Sequence, residues 1–269
     1  TIPFLEDYTV LTLREPHGVT GHIIPWNYPL QIIGRTIGGA LAMGNCCILK
    51  PGEEASKTAL MLGELAVQAG IPPGVFNIVP GLGTEAGEAL INQSGIDHIS
   101  FTGSTEVGKL VQKSAANNAV PVTLELGGKS PVIIGPDANI STAARRICFG
   151  KSINSGQTCI APDHIYIPSG KVDSFVEEYR RSFEKMYPDG QEDSGYSCII
   201  NQFHTDRLQE LIADAKLKGA KIEPVTEWKK GEKMPPIFVF NSTNEMEISQ
   251  TEIFGPLLPI ITYTDISET

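Results

Sequence analysis

The chain has 269 residues, 41% hydrophobic and 19% charged, with 27 glycines and 19 prolines, a composition that excludes a disordered tail, a collagen and a coiled coil. Its formal net charge of −10 repels a phosphate backbone or an anionic membrane, so neither nucleic acid nor a membrane is an expected partner. No apolar run approaches the ~18 residues of a membrane-spanning helix. Five cysteines with no C-x-x-C pattern and no secretory leader ahead of them point to a reducing, cytoplasmic compartment.

Residues 9–15 (TVLTLRE) read as a strand. From residue 19 strands and helices alternate. Strands are expected at 19–24, 46–49, 75–79, 98–101 and 122–124, and helices at 30–43, 56–69, 85–91 and 105–115. Short apolar strands separated by helices imply a parallel sheet covered on both faces. Such sheets bind ligands at the carboxyl ends of their strands. A second unit is expected to begin near Gly127-Gly128, with strands at 131–134, 165–167, 237–240 and 258–262. Its helices are expected at 140–151, with Asn139 as N-cap, at 172–183 and at 206–218. Residues 188–197 and 227–236 are polar and turn-rich. The opening Thr1-Ile2-Pro3 and the closing Ser267-Glu268-Thr269 carry the expectation that the chain is a piece of a longer protein lacking both ends.

Chemistry-bearing residues follow the strands. Cys159 closes the polar stretch Asn154-Ser155-Gly156-Gln157-Thr158. A free cysteine is usually a small buried hydrophobe. These neighbours offer no apolar bed, and a thiol beside backbone N–H groups can be a nucleophile, so both readings stand on local sequence. Glu125 lies between Leu124 and Leu126 before a glycine pair; it is either a solvent-facing carboxylate or a general base. Asn27, in Pro25-Trp26-Asn27-Tyr28-Pro29, either makes a turn or donates its amide to an oxyanion. Lys50 and Glu53 end the second strand; they are a solvated pair or a grip on ribose hydroxyls. Gly81–Gly87 and Gly103–Gly108 are imperfect phosphate-binding glycine patterns. Gly103-Ser104 nonetheless falls where a strand meets a helix N-terminus, a place suited to a pyrophosphate. The five histidines show no metal-ligand spacing, so no metal is expected.

Taken in order, PWNYP (25–29), LKPGE (49–53), FTGSTEVG (101–108), LELGGKSP (124–131), NSGQTC (154–159) and EIFGP (252–256) resemble the aldehyde dehydrogenase superfamily over nearly the whole chain. NSGQTCIAPDHI, SCIINQFHTDRL and FGPLLPIITY resemble its coniferyl-aldehyde and class-3-like members most. The resemblance implies an α/β fold: a Rossmann-like parallel-sheet cofactor domain (17–126) followed by an α/β catalytic domain (127–269), incomplete here, with residues 1–16 part of an oligomerisation strand unit. It implies oxidation of an aldehyde, aromatic or medium-chain aliphatic, with NAD as cofactor and NADP as a possible one. Cys159 would be the nucleophile, Glu125 the base that activates water, and Asn27 an oxyanion donor. The cofactor would be held by Trp26, Lys50, Glu53, Gly83, Gly103, Ser104, Gly108, Leu126, Glu252 and Phe254. The full-length protein would be a homodimer or homotetramer. The competing reading is a non-catalytic nucleotide-binding fragment, or a structural protein on the same fold.

Overall fold

The computed structural model describes residues 9–229 and 231–269. The chain divides into two compact units, Thr1–Leu126 and Gly127–Thr269.

In the first unit the expected alternation is present. Strands β1 (Val19–Ile23), β2 (Cys46–Lys50), β3 (Phe76–Ile78), β4 (His98–Gly103) and β5 (Val122–Leu126) form one sheet in the order β3-β2-β1-β4-β5. Every pairing is parallel. The chain builds outward from β1 to β3, then returns to the other side of β1 for β4 and β5. The carboxyl ends of β1 and β4 therefore flank a switch point, where connections diverge and leave a crevice. Helix α1 (Pro29–Ala42) starts on a proline, whose fixed φ suits a first helical position. With α2 (Ser56–Gln68) it covers Cys47 and Leu49 through Ile32, Ile33, Ile37 and Ala59. Helices α3 (Glu88–Ile91) and α4 (Thr105–Ala116) bring Leu90, Ile91, Val111 and Ala115 against Ile99 and Phe101. The helix expected at 85–91 is divided: a π-type turn spans Gly83–Gly87 and only Glu88–Ile91 is α-helical.

One expected element is absent. Residues 9–17 form no strand. The residue types suit a strand, but Val10, Leu11 and Leu13 are 55%, 74% and 78% exposed, and a strand without a paired neighbour has nothing to satisfy its backbone. The remainder of the segment assigned to oligomerisation, residues 1–8, lies outside the described residues.

The second unit is a mixed sheet in the order β6-β7-β10-β9-β8. Its strands are β6 (Pro131–Ile133), β7 (His164–Pro168), β8 (Lys221–Pro224), β9 (Ile237–Phe240) and β10 (Leu257–Tyr263). Only β8 runs antiparallel, at the edge. Sequence reasoning missed this strand: it is four residues long and ends in Pro224, and proline is tolerated on an edge. Helices α5 (Ile140–Ser152) and α6 (Val172–Met186) bury Ala144, Ile147, Phe175, Tyr179 and Phe183 on one face. Helices α7 (Gln202–Leu217) and α8 (Glu247–Gln250) bury Leu208, Leu211, Ile212, Ala215 and Ile248 on the other.

Candidate active site

In the first unit the sites cluster after strands. The loop carrying Trp26 and Asn27 leaves β1 and runs against the loop leaving β2. A Cβ on Gly52 would lie 2.9 Å from the Trp26 amide nitrogen, so that position has to be glycine for the two loops to touch. The Ile24 N–H donates to the Lys50 carbonyl at 3.1 Å and extends the β1–β2 ladder into this region. Lys50 Nζ donates to Glu53 Oε1 at 2.9 Å, and the Gly83 N–H donates to the same oxygen at 2.7 Å. The Lys50 side chain is 4% exposed and that of Glu53 44%, so an anchored amine holds a carboxylate at the surface. Burial alone would raise the Glu53 carboxyl. The hydrogen bond from Lys50, backbone donors including Gly83 and the ammonium charge outweigh it and hold the carboxyl below its ordinary value.

Gly103 ends β4, and Ser104 caps α4, its Oγ accepting from the Val107 N–H at 3.3 Å. Gly108 is buried in α4, where a Cβ would lie 2.5 Å from Leu126 Cδ2. Gly108 and Leu126 therefore pack on one another and bring α4 close to β5. Glu125 lies inside β5 opposite Thr102. Leu124 and Leu126 face the α3–α4 core. Glu125 is exposed on the other face and lines a cavity of about 700 Å³ with His22, Ser100, Thr123 and Arg35.

In the second unit Cys159 is exposed and Cys148 buried; Cys47, in β2 of the first unit, is buried as well. Burial pushes the Cys148 thiol up to about 12 and also raises Cys47, which suits both to a structural role. Cys159 follows an unusual backbone. Asn154 (φ 50), Ser155 (φ 52) and Gly156 (φ 71) occupy the left-handed region in succession, a conformation that costs non-glycine residues energy and persists only under restraint. The restraints are visible. Ser155 Oγ donates to the Ser197 carbonyl. Gln157, 2% exposed, donates to the carbonyls of Asn154 and Cys198 at 2.9 and 3.0 Å and accepts from the Ile200 N–H at 2.9 Å. A Cβ on Gly156 would lie 2.3 Å from the Gly255 carbonyl oxygen, so EIFGP is pressed against the turn that leads to Cys159.

Glu252 is brought to Gly127 in the same way: a Cβ there would overlap its carboxylate at 1.9 Å. Phe254 follows with φ 44. Three charged residues around this segment gave no local motif. Asp163 is 4% exposed, ion-pairs with Lys129 and accepts from the Ile253 N–H at 2.9 Å. Arg207 donates to the carbonyls of residues 252, 253 and 254. Lys151 is 1% exposed, and burial pulls its amine down to about 7 against the nearby Asp163 and Glu252 carboxylates. The only signal for Asp163 and Lys151 was a charge close to the cysteine in the chain. Arg207 had none, because it reads as the polar side of an amphipathic helix.

The chain matches the aldehyde dehydrogenase family model over residues 1–269. It is 40% identical over 258 residues to coniferyl aldehyde dehydrogenase of Pseudomonas sp. strain HR199, covering 93% of this chain and 53% of that protein. It is 43% identical over 276 residues to cytosolic aldehyde dehydrogenase 1 of Rattus norvegicus, covering 100% of this chain and 54% of that protein. The structure of an aldehyde dehydrogenase C variant from Pseudomonas syringae, complexed with NAD+ and octanal, superimposes with a TM-score of 0.87 at 35% identity, covering 95% of this chain and 54% of that one. The chain thus spans about half the length of the curated relatives it matches. No helix among the described residues is long and apolar enough to cross a membrane. With a family match along its entire length and identities of 40% and above to curated relatives, the chain belongs to the aldehyde dehydrogenase family.

Proposed function

We propose that this chain carries the chemistry of an NAD-dependent aldehyde dehydrogenase that oxidises an aldehyde to a carboxylic acid through a thioester on Cys159. One observation carries the reading: in a member of this family, an exposed thiol follows a turn held in the left-handed region by buried partners. A surface cysteine with only a structural role has no need of that restraint.

The residues fit the cofactor. Lys50 and Glu53 offer a donor and an acceptor to vicinal hydroxyls, the chemistry a ribose requires. The Glu53 carboxylate disfavours a 2′-phosphate, so NAD is preferred to NADP. Gly83, Gly103 and Ser104 lie beside this pair or at the α4 N-terminus, where backbone N–H groups suit a pyrophosphate. Trp26, Gly108 and Leu126 shape the surrounding wall, and Glu252 and Phe254 hold the nicotinamide ribose and ring. When bound, the nicotinamide accepts the hydride.

The chain's residues supply the rest. Cys159 Sγ, as the thiolate, attacks the aldehyde carbon, and the carbonyl π electrons move to oxygen. The Asn27 amide and the Cys159 backbone N–H donate to that oxyanion. Loss of hydride from the same carbon restores the carbonyl and leaves a thioester. Glu125 removes a proton from water, which attacks the thioester carbon; the thiolate leaves and the acid is released. An aromatic or medium-chain aliphatic aldehyde fits the resemblance to the coniferyl-aldehyde relatives, and octanal, bound in the Pseudomonas syringae structure, falls in the second class. A cytoplasmic location and a homo-oligomeric full-length protein belong to the same proposal; the similarity to the cytosolic enzyme of the rat supports the first.

The test is NADH formation with NAD and a panel of aromatic and aliphatic aldehydes, with Cys159→Ala beside the wild type. Turnover is expected to vanish in the variant while NAD binding is kept. Turnover that survives the substitution would remove Cys159 from the mechanism. NAD binding without turnover in the wild type would favour the non-catalytic nucleotide-binding reading.

A further inference from the structure

The segment Glu252–Gly255 is held in a shape that its own sequence does not dictate. Phe254 has φ 44, an arrangement unfavourable for an aromatic residue. The carbonyls of Glu252, Ile253 and Phe254 all turn to one side chain: Arg207 Nη1 donates to the first at 3.3 Å, and Nη2 donates to the second and third at 2.5 and 3.4 Å. These residues lie outside any strand, and the guanidinium supplies a donor to each of the three carbonyls. From the opposite side, Asp163 Oδ2 accepts from the Ile253 N–H at 2.9 Å. The other oxygen of Asp163 is paired with Lys129, which also donates to the carbonyls of Ile248 and Thr251 at 2.9 Å each. Next to Arg207 on α7, Leu208 fills the space that a Cβ on Gly255 would need, at 2.5 Å. The Gly255 carbonyl in turn presses on Gly156.

We infer that Arg207, assisted by Asp163, is a positioning residue that fixes Glu252–Gly255 in the shape presenting Glu252 and Phe254 to the nicotinamide end of the cofactor. This rests on the proposed dehydrogenase reading. A planar guanidinium carries five donors in a fixed fork, spread over three nitrogens, that suits successive carbonyls; a lysine gathers its three donors on one freely rotating nitrogen and holds the carbonyl directions less firmly. The segment is thus set by one side chain from α7 and one carboxylate from the loop after Cys159, and both belong to the unit that carries the nucleophile.

The experiment compares the 269-residue chain with R207A, R207K and D163N. It reads the dissociation constant for NAD by calorimetry, KM for NAD and for aldehyde, kcat, and the melting temperature. Misplacing a group at a reacting centre by about 1 Å can cost roughly a hundredfold in rate. R207A is therefore expected to lose on that order in kcat/KM for NAD, with weaker NAD binding and a nearly unchanged KM for aldehyde. R207K should recover part of the loss. Unchanged NAD affinity and kcat/KM in R207A, with only a lowered melting temperature, would overturn the inference. If R207A does not fold, the same comparison is made with R207K and D163N, which keep a cation or the side-chain shape. A wild-type chain that binds NAD but oxidises no aldehyde would count against the proposed oxidation, and the NAD affinities would still decide the positioning role. A wild-type chain that does not bind NAD would overturn both.

Discussion

At the scale of single residues, the region around Cys159 is built from conformations the sequence disfavours. Asn154 and Ser155 tolerate the left-handed region only because side chains and neighbouring carbonyls hold them there. Gly156 adds a second demand, since its missing Cβ is the space that the Gly255 carbonyl occupies. Gly156→Ala should therefore strain φ and push the two loops apart. The expected cost is about 2 kcal/mol or more, read as a lower denaturation midpoint. Aldehyde oxidation should fall more steeply than stability. A variant with wild-type activity and stability would mean that the two loops separate without consequence. Cys159 was legible as a candidate because polar residues precede it. Asp163 and Arg207 were not, because the Ile253 N–H that Asp163 holds and the carbonyls that Arg207 serves lie about 90 and 45 residues away in the chain.

At the scale of elements, the start of α5 was legible because a side chain provides its cap, whereas α7, capped by Asn201, begins at Gln202 and not at the expected 206. Asn139 Oδ1 accepts from the Thr142 N–H at 2.9 Å, as its position ahead of an apolar run predicts. Asn139→Ala should destabilise the second unit by about 1 kcal/mol, measured as a shift in the urea midpoint with an unchanged slope. An unshifted midpoint would mean that packing against α6, not the cap, sets where α5 begins. The failures among the strands have one cause. A strand needs a partner, and local alternation does not report whether one exists. Residues 9–15 are rich in strand-forming residues but form no strand, whereas the four-residue run Lys221–Pro224 pairs with β9. The two polar loops at 188–197 and 227–236 likewise prove to be tied together. Gln191 donates to the Glu227 carbonyl at 2.8 Å, and Tyr196 Oη donates to the Met234 carbonyl at 3.0 Å. Their composition shows turns and gives no hint of this pairing.

At the scale of the whole molecule, the net charge of −10 says little about acid sensitivity, which depends on groups buried in their neutral form. His22 is 4% exposed, with Nε2 paired to Thr20 Oγ1 at 2.9 Å. Burial first, and the neighbouring His98 second, pull its pKa from 6.5 to about 4. In the unfolded chain it ionises at the ordinary value. As pH falls from 6.5 towards 4 the unfolded state gains a proton that the folded state refuses, so stability falls across that window. The shift corresponds to roughly 3 kcal/mol once both states are protonated. His98, lowered first by burial and then by His17, acts in the same direction. His22→Gln should flatten the acid limb of the melting temperature between pH 6.5 and 4. An unchanged limb would show that His22 is reached by solvent before unfolding.

Taken by itself, the sequence determined the class of fold, the order of its elements and the ordered motifs that identify the family. Each of these is carried by residues close together in the chain, where periodicity, caps and turn chemistry act. The tertiary structure alone decided which glycines are spacers, that Gly108 serves Leu126, Gly127 serves Glu252 and Gly156 serves Gly255. It alone decided that β8 joins the sheet edge, and that Arg207 and Asp163 hold the segment before Pro256. The reason is physical. A missing Cβ, an edge pairing or a hydrogen bond to a distant carbonyl depends on what the folded chain brings opposite, and nothing in the neighbouring residues encodes it.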